Sequence, residues 1–181
     1  MKYLKTFENY TKNDTVLDIY CLYVYDFPKE FLPLKNTLTK LNCWENHLSF
    51  LPELPKMLKE LNCWENHLSF LPELPNTLID LYTSDNNLSI LPELPNSLKY
   101  LSCAHNNWIE PIPIDYYNKI IEQEGHNIYN GEQKKKFKSY EFQKEFVEKY
   151  PFRIRDLEPI GIDPEIRKEY AYLWDFDQYL D

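Results

Sequence analysis

The sequence predicts a solenoid: short coils stacked with a parallel β-sheet on the concave face, an extended polyproline-like convex face, and an α-helical C-terminal region. Three observations lead there. The block LNCWENHLSFLPELP occurs twice without a change, at Leu41 to Pro55 and at Leu61 to Pro75. Two further stretches keep its frame at the same interval, giving four twenty-residue units that begin at Phe31, Leu51, Leu71 and Leu91. The connecting P-E-L-P segments put two prolines where a helix would need backbone donors. No single unit buries its apolar residues alone, so successive coils must stack them into one continuous core.

Residues 1–30 read as an N-terminal cap. Within them Val16 to Phe27, VLDIYCLYVYDF, is apolar and aromatic enough for a strand or a short buried helix, and periodicity does not separate the two. Over residues 31–110 the units fall into columns. Leu38, Leu58, Leu78 and Leu98 form one apolar column, and Leu41, Leu61, Leu81 and Leu101 the next. Cys43, Cys63, Thr83 and Cys103 form a third, and Leu48, Leu68, Leu88 and Trp108 a fourth. Asn46, Asn66, Asn86 and Asn106 make a structural ladder, since a short amide can satisfy backbone groups of a turning chain from inside. Strands centred on Leu41, Leu61, Leu81 and Leu101 should pair in parallel, about 4.8 Å apart. Pro52 to Pro55 and its two equivalents favour polyproline II geometry on the opposite side.

The frame L-x-x-L-x-(C/T)-x-x-N-x-(L/W), followed by L-P-E-L-P, is that of a leucine-rich repeat. It resembles the LPX class, whose twenty-residue units are known from bacterial effectors delivered into host cells; similar Cys-containing versions occur in large-virus, phage and bacterial reading frames. The resemblance covers residues 31–110 and implies a fold rather than a partner. The opening Phe31-Leu-Pro-Leu-Lys35 lacks the Glu and the second Pro, as expected of a unit beside a cap.

Residues 111–181 read as a helical cap on the last coil or a small domain. Pro111 and Pro113 end the solenoid, and Asp115 N-caps a helix through YYNKIIEQE to Gly125. Gly125 to Gly131 is the flexible stretch, and the run Lys134, Lys135, Lys136 and Lys138 reads as a solvated loop. A second helix should span Ser139 to Tyr150 before Pro151, and a third should start with Asp163 as N-cap and Pro164 at its first position, running through EIRKEYAYLWDF. The acidic, aromatic end, Trp174 to Asp181, reads as a tucked terminus.

Composition narrows the function. A net charge of −9 opposes binding to a phosphate backbone, and three glycines cannot build a phosphate-cradling loop. With no secretory h-region and no apolar window long enough to span a bilayer, a cytoplasmic chain is expected. The four cysteines fit a reducing compartment better than a disulfide framework. Some members of the LPX class carry a separate ubiquitin-ligase domain with a catalytic Cys; here no Cys follows Cys103, so the chain is not expected to be an enzyme.

The motif CWENH invites a metal reading, which strand alternation opposes. Leu41 and Cys43 point inward, so Asn42 and Trp44 point out, and Cys43 and His47 should not converge on one ion. At the third unit their equivalents are Thr83 and Asn87, neither a good zinc ligand. The best metal variant pairs His47 with His67 across coils; no metal or cofactor is expected.

The outward columns read Lys40, Glu60, Asp80, Tyr100; Asn42, Asn62, Tyr82, Ser102; Trp44, Trp64, Ser84, Ala104; and Glu45, Glu65, Asp85, His105. Together they predict an acidic, aromatic concave face that binds another protein, with Trp and Tyr as the residues that concentrate binding energy. A basic or proline-rich segment would suit it, through cation–π contact and carboxylate pairing. The bland alternative is that duplication copied Trp44 into Trp64 and both lie flat as surface hydrophobes. A further alternative is an obligate interface in a larger assembly such as a viral particle.

Overall fold

The computed structural model describes residues 15–27, 36–114, 116–117, 128–129 and 131–173. The chain divides into two compact units, Met1–Asn107 and Trp108–Asp181.

In the first unit five three-residue strands run parallel in chain order: β1 (Val16–Asp18), β2 (Lys40–Asn42), β3 (Glu60–Asn62), β4 (Asp80–Tyr82) and β5 (Tyr100–Ser102). Their register places Leu17, Leu41, Leu61, Leu81 and Leu101 side by side. Each is buried, because alternation turns the middle residue of the strand inward and its neighbours out. Leu38, Cys43, Leu48, Leu51 and Leu54 extend the same core within one coil, with equivalents in the next. Burying each leucine contributes about 1.5–3 kcal/mol, so the stack is held by its columns rather than by any one coil. The segments after Leu51, Leu71 and Leu91 contain no helix, as the prolines require.

VLDIYCLYVYDF resolves as a strand and the turn that follows it. Leu17 takes the place of Leu41 and Ile19 that of Cys43, and both are buried. Ile19 N–H donates to Asn42 O and Cys21 N–H to Trp44 O, the bonds that Cys43 and Glu45 make one coil further on to Asn62 and Trp64. The N-terminal segment therefore supplies a fifth coil. The expected irregular start of the first unit, residues 31–35, lies outside the described residues.

Each buried asparagine joins adjacent coils. Asn86 Nδ2 donates to Cys63 O (2.9 Å), Ser84 O (3.1 Å) and Thr83 O (3.3 Å), while its Oδ1 accepts from Leu68 N–H at 3.0 Å. Asn66 and Asn106 repeat this pattern. Asn46 does so against the first coil, accepting from Leu22 and Val24 N–H and donating to Ile19 O. Without these amides, carbonyls and N–H groups of the turn would be buried unpaired. Just before each asparagine the chain passes through the left-handed region, with φ of 53° at Glu45 and Glu65, 52° at Asp85 and 51° at His105; Cys21 matches at 53°. None of these five residues is glycine.

The second unit is helical: α1 (Gly131–Phe137), α2 (Tyr140–Lys149), a 3-10 helix (Pro151–Leu157), α3 (Pro164–Glu169) and a short 3-10 turn (Ala171–Leu173). Ser139 caps α2 by accepting from Phe142 N–H, and Asp163 caps α3 by accepting from Glu165 N–H. Phe146, Val147, Ile154, Leu157, Ile166 and Tyr170 form the core. The fully buried Gln143 ties the elements together: its Nε2 donates to Phe137 O and Gly161 O, and its Oε1 accepts from Asp163 N–H.

Two expectations change here. Lys134, Lys135 and Lys136 lie on α1 rather than in a loop, because Gln133 and Phe137 on the same helix are buried and anchor it. The third helix ends at Glu169, where Tyr170 leaves helical geometry. Past Pro151, where the second helix was expected to stop, the chain continues as a 3-10 helix. The helix expected after Asp115, beyond Tyr117, and the terminal Trp174 to Asp181 lie outside the described residues. Among the described residues no helix is long and apolar enough to cross a membrane.

Candidate partner-binding face

The strands present four outward columns on one surface. The first residues of the strands place Lys40, Glu60, Asp80 and Tyr100 in line, with Lys40 Nζ 2.7 Å from Glu60 Oε1. That carboxylate pushes the Lys40 pKa upward. The third strand residues align Asn42, Asn62, Tyr82 and Ser102, and Asn42 Nδ2 donates to Asp18 Oδ1 at 3.0 Å. Tyr82 and Tyr100 bring their ring centres to 4.9 Å.

Beside them runs an aromatic stack. Tyr20 and Trp44 lie 5.6 Å apart and 5° from parallel, and Trp44 and Trp64 lie 5.6 Å apart and 14° from parallel. Trp44 is held between neighbours from the coils on either side, so both of its ring faces are engaged. Trp44 is half-buried in this stack. Trp64, at the end of the stack, is 40% exposed. Its Nε1–H reaches across to coil four and donates to Asp85 Oδ2 at 2.6 Å. The column does not continue outward. Ser84 and Ala104, expected on the surface, are buried at 7% and 3% exposure. Ser84 Oγ is spent on Ser102 Oγ and on the N–H of Ala104, so this end of the column is a polar floor rather than a ridge.

The fourth column carries the left-handed residues Glu45, Glu65, Asp85 and His105. Asp85 Oδ1 lies 3.0 Å from His105 Nδ1. Cys21 Sγ donates to Glu45 Oε2 at 2.8 Å. Partial burial, followed by that carboxylate, pushes the Cys21 thiol up to about 11. Across the described face six carboxylates, Asp18, Glu45, Glu60, Glu65, Asp80 and Asp85, stand against one ammonium, Lys40.

The sequence-predicted outward residues share one surface except Ser84 and Ala104, which are buried, and the sequence missed three members of it: Asp18, Tyr20 and Cys21. Their signal was the alternation of Leu17 and Ile19, which matches Leu41 and Cys43. It was hidden by a twenty-four-residue offset and by Leu22 standing where the later coils carry asparagine. Cys43, Cys63 and Cys103 are fully buried, and burial lifts the Cys63 thiol to about 12 and that of Cys43 well above its ordinary value. They belong to the core and not to this face.

Repeated coils, parallel strands in fixed register and a buried asparagine in each turn from the second coil onward decide the fold. It is a leucine-rich-repeat solenoid. Among solved structures, a Shigella effector leucine-rich-repeat domain is 33% identical to the chain, with a TM-score of 0.49 over 60% of this chain and 46% of its own. YopM from Yersinia enterocolitica WA-314 is 42% identical, with a TM-score of 0.40 over 40% of this chain and 16% of its own. The chain therefore spans less than half the length of either. No family model and no curated protein matches it.

Proposed function

We propose that the chain is a non-enzymatic protein–protein interaction module whose concave face takes a basic segment of a partner. The observation that carries this reading is the exposed end of a stacked aromatic ridge set among six carboxylates and one lysine. Trp and Tyr concentrate binding energy because they cover much area with little entropy to lose. The surrounding carboxylates pair with guanidinium or ammonium groups and speed encounter. A proline-rich partner fits less well: polyproline segments dock into slots between ring faces, and both faces of Trp44 are occupied within the chain itself.

The test is direct binding of basic, proline-rich and acidic peptides to the full chain and to a Trp64→Ala, Glu65→Lys variant whose circular dichroism is unchanged. Basic peptides should bind, with affinity falling as salt rises, and the variant should bind about tenfold or more weakly, an amount set by losing one aromatic anchor. Equal binding by the wild type and the variant would remove this face from consideration.

A further inference from the structure

One cluster at the end of the strands plays no part in that reading. His47 Nδ1 and His67 Nε2, one coil apart, lie 3.3 Å from each other. Their ring centres are 5.4 Å apart and their planes 20° from parallel. The nitrogen gap is shorter than the centroid separation by about the two ring radii, so the nitrogens lie close to the line between the rings, which meet edge to edge. Both residues are fixed from the backbone. His47 N–H donates to Val24 O at 3.0 Å and His67 N–H to Leu48 O at 2.9 Å. Tyr25 packs on His47 with ring centres 4.8 Å apart, and Tyr23 lies at 5.8 Å.

We propose that His47 and His67 form a two-histidine site for a divalent first-row transition metal of the nickel, copper and zinc group, clamping the second and third coils together. Imidazole nitrogens bind such ions at about 2.0–2.1 Å, so two neighbouring donors of one ion stand about 2.8–3.4 Å apart, from the right angle of nickel and copper to the tetrahedral angle of zinc. The observed separation already matches, and only a modest rotation of each ring is needed to aim both lone pairs at one point. As the pair stands, one of the two facing nitrogens carries the hydrogen between them. When a metal enters, the facing nitrogen of that ring gives up its hydrogen and its other nitrogen takes one up, so both rings stay neutral and there is no net loss of protons from the protein. Among the described residues no cluster of three or more His, Cys, Asp or Glu side chains surrounds the pair. Water therefore completes the coordination, and imidazole donors with open positions suit this group of metals rather than magnesium or calcium.

The site can be removed without disturbing the coil, because the equivalent positions in the next two units are Asn87 and Asn107. The experiment titrates the full chain with nickel chloride, in a non-chelating buffer, by calorimetry and by thermal unfolding. Wild type should bind one nickel per chain and unfold at a higher temperature with nickel, since a ligand of the folded state stabilises it. His47→Asn and His67→Asn should each bind about a hundredfold more weakly, the loss expected when a chelate becomes a single donor, and should lose the nickel-dependent shift. A His126→Asn variant should behave as wild type. No saturable binding by wild type, or equal binding by His47→Asn, would overturn the proposal.

Discussion

Trp64 Nε1–H donates to Asp85 Oδ2 at 2.6 Å, which makes an indole of the third coil a strap onto the fourth. Asp85 is engaged on both oxygens, since its Oδ1 faces His105. Replacing Asp85 with Ala should free the indole. Near-ultraviolet circular dichroism and tryptophan emission should change, while stability falls by no more than about 1 kcal/mol, because the bond is exposed to water. An unchanged spectrum would mean that the strap does not order the ring.

The asparagine ladder gives a sharper contrast. Asn86→Ala removes three donated bonds and one accepted bond in a buried turn. It should cost about 1–3 kcal/mol or more in urea unfolding, the penalty for stranded backbone groups. Asn87→Ala, one residue on and exposed, should leave the midpoint where it was.

Because Val16 to Val24 forms a coil of the stack, its core leucine should matter as much as those of the repeats. Leu17→Ala should destabilise the chain by about 2–5 kcal/mol, the range for deleting a buried leucine side chain. A loss below about 0.5 kcal/mol, the scale of surface substitutions, would instead make this segment a loose extension.

The repeats were legible because the same choice was written four times: leucine at the strand centre, cysteine or threonine two residues on, asparagine in the turn. The first coil was not, because it keeps only the alternation and drops the asparagine. The direction of each outward side chain in the strand followed from the period of two. What alternation could not foresee is how far a side chain reaches once it leaves the backbone. Trp44 turns its faces to its neighbours rather than to solvent, and Ser84 and Ala104 are too short to stay exposed beside larger ones. In the second unit, the lysine run hid a helix whose anchors, Gln133 and Phe137, are too few to show a periodic stripe.

Thiol chemistry separates the cysteines and gives a pH dependence. Iodoacetamide should label the half-buried Cys21 in the native state, slowly because its thiol titrates near 11. Cys43, Cys63 and Cys103 should react only on unfolding. In the unfolded chain all four ionise near 9.0, whereas the folded protein holds Cys21 to about 11 and Cys63 to about 12. Raised folded-state values stabilise the protein fully below pH 9, and that contribution is lost as pH climbs toward 11 and 12. Urea midpoints should therefore fall between pH 8 and pH 10.5, and fall less in Cys63→Ala.

In the helical unit, Asp156 is buried, accepting from Ile114 N–H at 2.7 Å and from Arg153 Nε at 2.8 Å. Arg153 also reaches Glu110 Oε2 and Pro111 O. Asp156→Ala should cost about 1–3 kcal/mol by leaving a partly buried N–H and a partly buried guanidinium short of a partner. A change under about 0.5 kcal/mol would show that water replaces the carboxylate.

The left-handed residues that precede each ladder position carry a further implication. An L side chain at φ near +53° is crowded by about 1–2 kcal/mol, and glycine would relieve this, less its own larger loss of chain entropy. Yet the protein places Glu45, Glu65, Asp85 and His105 there and keeps its three glycines elsewhere. Glu45→Gly with Glu65→Gly should give a hardier scaffold with a blanker surface. Someone building new specificities on these coils would find four positions where toughness and chemical character pull in opposite directions.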